Sequence, residues 1–252
     1  GKKELELWLD DLFTTNSDTE GRKQVDITGL IGQYAHGNEP SHHMAYLYNF
    51  TQSNWKTQKY VHQILTTLYA NDPDGLSGNE DCGQMSAWYI MSAMGFYPVC
   101  PGEPTYTFGS PIFDKVTINL ENKKKFTVKA ENVSKNNIYI QSVILNGIDY
   151  DKSWFQHEDI LNGSTLVFMM GDKPNKEWGE DKESRPFTEP LLPFVTLPYA
   201  RTSDEFFLDT GTVELKCNDH EAKIYYTIDG SEPTENSMLY NDLIKVNKTS
   251  LI

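Results

Sequence analysis

The chain has 252 residues, 38% hydrophobic and 12% aromatic, so it can bury real cores and is too long for one small domain. That composition excludes wholesale disorder. A formal net charge of −14 argues against nucleic acid, whose phosphates would repel it, and no apolar run reaches the ~20 residues a bilayer span needs.

No signal peptide opens the chain, and its first residue is Gly rather than Met, which suggests a processed or excised piece. Lys3 to Phe13 places Leu5, Trp8, Leu9, Leu12 and Phe13 at helical spacing. Thr14 to Lys23 is polar and loop-like, and the glycines between Asp26 and His36 break regular structure. Gly37-Asn38-Glu39-Pro40 then delivers a carboxylate to the start of an apolar helix, Ser41 to Phe50, with Pro40 suited to its first position. A second helix, Trp55 to Tyr69, repeats an apolar face through Tyr60, Val61, Ile64, Leu65 and Leu68. Asn71-Asp72-Pro73-Asp74-Gly75 breaks the chain. Gly78-Asn79-Glu80-Asp81-Cys82-Gly83 then opens a third helix, Gln84 to Met94, stopped by Gly95.

Three helices with short turns pack up, down and up, the more polar middle one outside. The first and third then start at the same end, where Asn38, Glu39, Asn79, Glu80 and Asp81 would converge. Helix N-termini tolerate such acidic and polar groups.

Past Gly95, prolines end helical structure. Lys115 to Leu120, Lys125 to Ala130, Ile138 to Leu145 and Thr165 to Met169 read as antiparallel strands of a sandwich, with Asn146-Gly147 as a tight turn. Gly171 to Pro198 suits a linker. Thr212 to Cys217 and Lys223 to Gly230 look like strands of a small, truncated β-domain. The fold class is therefore α+β and multidomain: partial (α/α) barrel helices over 1–97, a β-sandwich-like region over 98–185, and a linker with the small β-domain over 186–252. Cys82, Cys100 and Cys217 form no close-spaced ligand pattern and are expected to be free thiols.

Paired carboxylates in one pocket can divide acid and base roles. Asp81 and Glu80 are the candidates, with Glu39 across the gap; the plainer alternative is that Asp81 and Ser41 cap helices. A hard cation such as Ca²⁺ would use the oxygens of Asn38 and Glu39. His42 and His43 are adjacent and cannot chelate one ion together, and His36 in its glycine loop suits hydrogen bonding. One or two aromatics near the helix starts, among them Trp88, could stack on a sugar.

The stretches Gln33 to His43, Trp55 to Gln58, Pro73 to Tyr89, Gly95 to Pro98 and Gly109 to Pro111 closely resemble glycoside hydrolase family 92. The tail from Ile224 to Thr234 resembles the β-domain appended to chitobiase-type hexosaminidases. The first resemblance implies a calcium-dependent, exo-acting, inverting α-mannosidase, with α-1,2-linked terminal mannose as the expected substrate. It implies Asp81 as general base with Glu80 beside it, Asn38 and Glu39 as calcium ligands, and His36, Asn79 and Trp88 at the substrate. The family often has Asp-Glu-Asp where this chain has Asn79-Glu80-Asp81, which leaves Asp81 as the base. The family's general acid lies in a motif with no counterpart here, and Glu4, Glu6 and Glu20 stand in the wrong context to replace it. The resemblance further implies mannose-containing glycans as partners and a periplasmic or extracellular location. Two rivals stand beside it. One is a binding module using surface aromatics Trp154, Trp178, Tyr199 and Tyr226; the other is a dimer joined through an exposed helical flank.

Overall fold

A computed structural model describes residues 1–18, 27–187, 196–201 and 209–250. Glu20, the far half of the polar stretch 14–23 and the 188–195 part of the expected linker lie outside the described residues. The chain divides into two units, Gly1–Phe187 and Thr188–Ile252.

The first unit opens with α1 (Lys2–Thr14), which buries Leu9 and Phe13 one turn apart, as the apolar spacing predicts. Glu6 and Asp10, flanking that face, meet Lys56 at 2.7 and 2.6 Å, and the Tyr48 hydroxyl donates to Asp10 at 3.0 Å. These contacts tie α1 to α2 (Asn54–Thr67). Between them, a short hairpin of β1 (Leu30–Ile31) and β2 (Tyr34–Ala35) turns at Gly32, whose φ is +62°. A β-carbon there would stand 2.5 Å from the Leu12 carbonyl oxygen. Gly32→Ala therefore meets both a left-handed backbone and a backbone collision, with an expected loss of about 3 kcal/mol and a melting point roughly 6–12 °C lower. All five tryptophans lie in this unit, so their fluorescence follows its melting alone. A shift under about 2 °C would mean that the end of α1 can move aside.

The expected helix from Ser41 to Phe50 is wound tighter, as 3₁₀ segments Glu39–Ser41 and Met44–Phe50. Three residues per turn eclipse i and i+3, and here both Ala45 with Tyr48 and Tyr46 with Asn49 are buried, two rows that a tight winding can turn inward. α2, expected to be the outer helix, buries Asn54, Thr57 and Gln58 with its apolar residues; Gln58 accepts the Ile140 N–H at 2.8 Å and Asn54 donates to the Trp178 carbonyl at 2.8 Å. α3 (Gln84–Met94) ends at Gly95 with φ +99°, the left-handed stop its sequence suggests.

Strands follow: β3 (Phe96–Tyr97), β4 (Thr105–Phe108), β5 (Lys115–Asn119), β6 (Lys125–Glu131), β7 (Tyr139–Leu145), β8 (Ile148–Asp149) and β9 (Trp154–Gln156). A short α4 (His157–Leu161) and β10 (Thr165–Gly171) complete the unit's elements. One sheet has the order β5-β6-β10-β7-β8, the other β3-β4-β9. Phe96, Phe108 and Phe155 of the small sheet share a core with Phe126, Ile140, Leu166 and Phe168 of the large one. The strands are not all antiparallel as expected, since β10 pairs with β6 in parallel. It lies between β6 and β7, which run opposite ways, so it must run with one of them. Residues 172–187 do not behave as linker: Trp178 and Arg185 are buried.

In the second unit β11 (Tyr199–Arg201), β12 (Gly211–Lys216) and β15 (Ile244–Val246) form one small sheet. β13 (Tyr225–Tyr226) pairs with β14 (Met238–Leu239), so the strand expected over 223–230 is only two residues long. All three cysteines are free.

Candidate functional site

The loop before the first 3₁₀ turn and the loop before α3 meet. A β-carbon at Gly78 would lie 3.4 Å from the Gly37 carbonyl oxygen, and the Gln84 side chain, at the start of α3, reaches His42 Nδ1 at 3.1 Å. Asn38 and Glu39 therefore follow Gly37 directly on one side of the contact, and Asn79, Glu80 and Asp81 follow Gly78 on the other.

Beneath the loops lies a layer of enclosed rings. His36 is 0% exposed, with Tyr34 hydroxyl 2.7 Å from Nδ1 and Tyr69 hydroxyl 2.6 Å from Nε2. Tyr69 donates its own proton to the Met85 carbonyl, so it accepts from His36 Nε2–H, and Nδ1 is left to accept from Tyr34. Burial, and then His42, push the His36 pKa down to about 3, so the ring is neutral. His42 stacks on it at 4.7 Å, donates Nε2–H to the His36 carbonyl and is likewise held low by burial. Trp88, also 0% exposed, donates its indole N–H to the His42 carbonyl at 3.0 Å and meets the His36 ring edge-on at 4.5 Å. His36 and Trp88, the residues expected at the sugar, thus lie below the loop surface with no face open to solvent.

Asp81 is half-buried and occupies a left-handed conformation, φ 51°, followed by Cys82 at 56° and Gly83 at 95°. Glu80 is exposed, and its carboxylate accepts the Ser86 N–H at 3.1 Å and the Ser86 hydroxyl at 2.9 Å. Glu80 therefore supplies side-chain acceptors to the start of α3. Asn79 is exposed beside it.

Asn38 is exposed and Glu39 partly so, and neither side chain makes a hydrogen bond among the described residues. Both offer hard oxygens of the kind Ca²⁺ prefers, but that ion takes 6–8 such ligands. No group of three or more His, Cys, Asp or Glu side chains placed to hold a metal occurs among the described residues. The pair could therefore form only part of a coordination sphere, whose remaining oxygens would have to come from water, substrate or other segments. On the outer side of α3 a cavity of about 440 Å³ is lined by Tyr69, Asn71, Leu76, Ser86, Tyr89 and Ile90.

Sequence reasoning passed over Gln84 and Tyr69, the side chains that join the two loops and the ring layer. The one available signal was Gln84 standing at the first position of an otherwise apolar helix. Of the aromatics expected on the surface, Trp154 and Trp178 are core residues at 6% exposure each, while Tyr199 is 49% exposed.

Residues 1–172 match the glycosyl hydrolase family 92 catalytic domain, and residues 203–252 match the chitobiase/β-hexosaminidase C-terminal domain. The α-mannosidase BT3965 of Bacteroides thetaiotaomicron, solved with mannoimidazole, is 44% identical with a TM-score of 0.72, over 75% of this chain and 25% of its own. The inverting mannosidase BT2199 of the same species is 36% identical with a TM-score of 0.65, over 75% of this chain and 27% of its own. An uncharacterized secreted glycosidase of Arthroderma benhamiae is 33% identical over 60% of this chain and 20% of its own. The chain thus spans between a fifth and about a quarter of the length of these relatives.

Proposed function

The chain belongs to glycosyl hydrolase family 92, and from that membership we propose that it supplies the base side of an exo-acting, inverting α-mannosidase. Asp81 is the general base: it takes a proton from the water that attacks the anomeric carbon of a terminal mannose. Inversion requires a second carboxyl ~6.5–9.5 Å away to protonate the leaving oxygen, with room between for that water. No residue of this chain is assigned that task. Asn38 and Glu39 would contribute oxygens to a bound Ca²⁺, which supplies a charge to orient the sugar hydroxyls when present. Asn79, exposed next to Glu80, would hydrogen-bond substrate, while His36 and Trp88 would support the loops from below.

The observation that carries this reading is the contact of the two loops at Gly37, Gly78, His42 and Gln84. It brings the carboxylate-bearing segments together although some forty residues separate them. The similarity to a secreted glycosidase supports an extracellular or periplasmic setting.

The test uses the 252-residue chain beside a chimera in which its first unit replaces the corresponding quarter of BT3965. The chain alone is expected to leave aryl α-mannosides and α-1,2-, α-1,3- and α-1,6-linked mannobioses intact, with or without calcium. The chimera should release mannose, fastest from the α-1,2 substrate, and stop on addition of EDTA. EDTA-sensitive release by the chain alone would mean that it holds its own acid. A folded chimera inert on every α-mannoside would end the proposal. The binding-module alternative rests on the second unit's family match and Tyr199. Calorimetry with chitin fragments that gives heat unaffected by Asp81→Asn would favour it.

A further inference from the structure

We infer that Glu80 is a positioning residue, whose carboxylate clamps the left-handed turn that carries Asp81 and exchanges no proton during the reaction. The inference rests on the reading of Asp81 as the base. Consecutive residues with β-carbons rarely adopt a left-handed backbone, because each β-carbon crowds the following carbonyl. Asp81 and Cys82 both do so, ahead of Gly83. Such backbone persists only where its surroundings hold it.

The holding contacts are on both sides of the turn. The Glu80 carbonyl accepts from Met85 N–H at 3.3 Å, and the Asp81 carbonyl accepts from Gln84 N–H at 3.2 Å. The Glu80 side chain then reaches past the turn to Ser86, with one oxygen on its amide and the other on its hydroxyl. The Ser86 amide, third in α3, is one of the donors a helix start leaves unpaired, and the helix dipole favours the anionic carboxylate there. From the other direction, the Gln84 side chain is fixed to His42 and to the Tyr97 hydroxyl at 3.2 Å. The turn is thus pinned at Glu80–Ser86 and at Gln84–His42, and the Asp81 side chain leaves it in a fixed direction. Each Glu80 oxygen holds a donor from Ser86, so the carboxylate is tied to the helix start.

A glutamine at position 80 keeps the clamp without the charge, since its oxygen can accept the Ser86 N–H and its amide can donate to the Ser86 hydroxyl. Alanine removes it. In the 252-residue chain, Glu80→Ala should speed amide exchange at residues 84–86 about tenfold while Glu80→Gln stays within about twofold of wild type. Equal protection in Glu80→Ala and wild type would overturn the clamp. Should Glu80→Ala fail to fold, Ser86→Ala, which removes the hydroxyl alone, carries the same comparison. In the BT3965 chimera, Glu80→Ala should lower kcat about tenfold with KM little changed, and Glu80→Gln should restore kcat to within about threefold, with the acidic limb of the pH profile in place. If Glu80→Gln instead lost ~10²–10⁴ of kcat together with that limb, Glu80 would be a proton-transfer group and the inference would fall. A chimera that is inactive without any substitution would sink the mannosidase reading, and the exchange measurement in the isolated chain would still decide the clamp.

Discussion

Asp81→Asn in the chimera is expected to lower kcat by about 10³ and to leave KM within a few-fold, the pattern of a group that acts in the transition state and not in uniform binding. Asparagine is the informative replacement at this position. It has nearly the same shape as aspartate, and it is among the few residues that tolerate the left-handed backbone seen here at φ 51°. Alanine would add a relaxed turn to the lost base and confuse the two effects. Without a base, the acidic limb of the kcat profile should vanish as well. Azide should restore turnover, because a small anion can attack the anomeric carbon from the face the activated water used. Its nitrogen bonds to that carbon while the glycosidic oxygen departs with a proton from the general acid, so the product is the inverted glycosyl azide. A chimera that keeps more than about a tenth of its kcat as Asp81→Asn would show that another group activates the water.

The same substitution separates what the sequence made legible from what it did not. The acidic loops and the helix that follows the second could be read from Asn38-Glu39-Pro40 and Asn79-Glu80-Asp81, because glycines and prolines punctuate them and helical spacing persists behind them. Hydrogen bonding across the tertiary fold was not legible. Glu80 stands beside Asp81 in the sequence; its contact with Ser86, six residues on, depends on two left-handed residues with β-carbons, Asp81 and Cys82, ahead of Gly83. Trp88 looked available to a sugar because aromatics near a helix start can stack on one, and the family resemblance put His36 at the substrate. Yet their burial depends on Tyr34, Tyr69 and His42 closing round them. The middle helix looked external because its first turns are polar, and Asn54 and Gln58 proved to be spent on the backbone of distant segments. In the sheets the alternation marked the four long strands well. It could not say that β10 enters between β6 and β7, since strand order is set by which apolar faces meet and not by any one strand's pattern.

That closed ring layer leads to a strong acid sensitivity of the first unit. His36 has a folded-state pKa of about 3 against an ordinary 6.5, so between those values the unfolded chain binds a proton that the native chain refuses. Stability from this group is fully present above pH 6.5 and is lost progressively as pH falls towards 3. One such histidine costs ~2 kcal/mol between pH 6.5 and pH 5, a range in which ordinary carboxylates stay largely ionised. The cause is geometric as well as dielectric. A charged His36 would need Nδ1 to donate, while Tyr34, enclosed at 1% exposure, already donates to that nitrogen. His42 and His62 are also held low by burial, so their uptake adds in the same direction. Urea unfolding followed by tryptophan fluorescence should show stability rising with pH from 5 to 7 with a slope of more than one proton. His36→Gln should be less stable at pH 7, having lost a ring that fills its site, and should show a slope reduced by about one proton. The slope rather than the midpoint is decisive, because a merely destabilising substitution would leave it unchanged. If the slope survives His36→Gln intact, the proton is being taken up elsewhere, and the account of a neutral imidazole locked between two tyrosines is wrong.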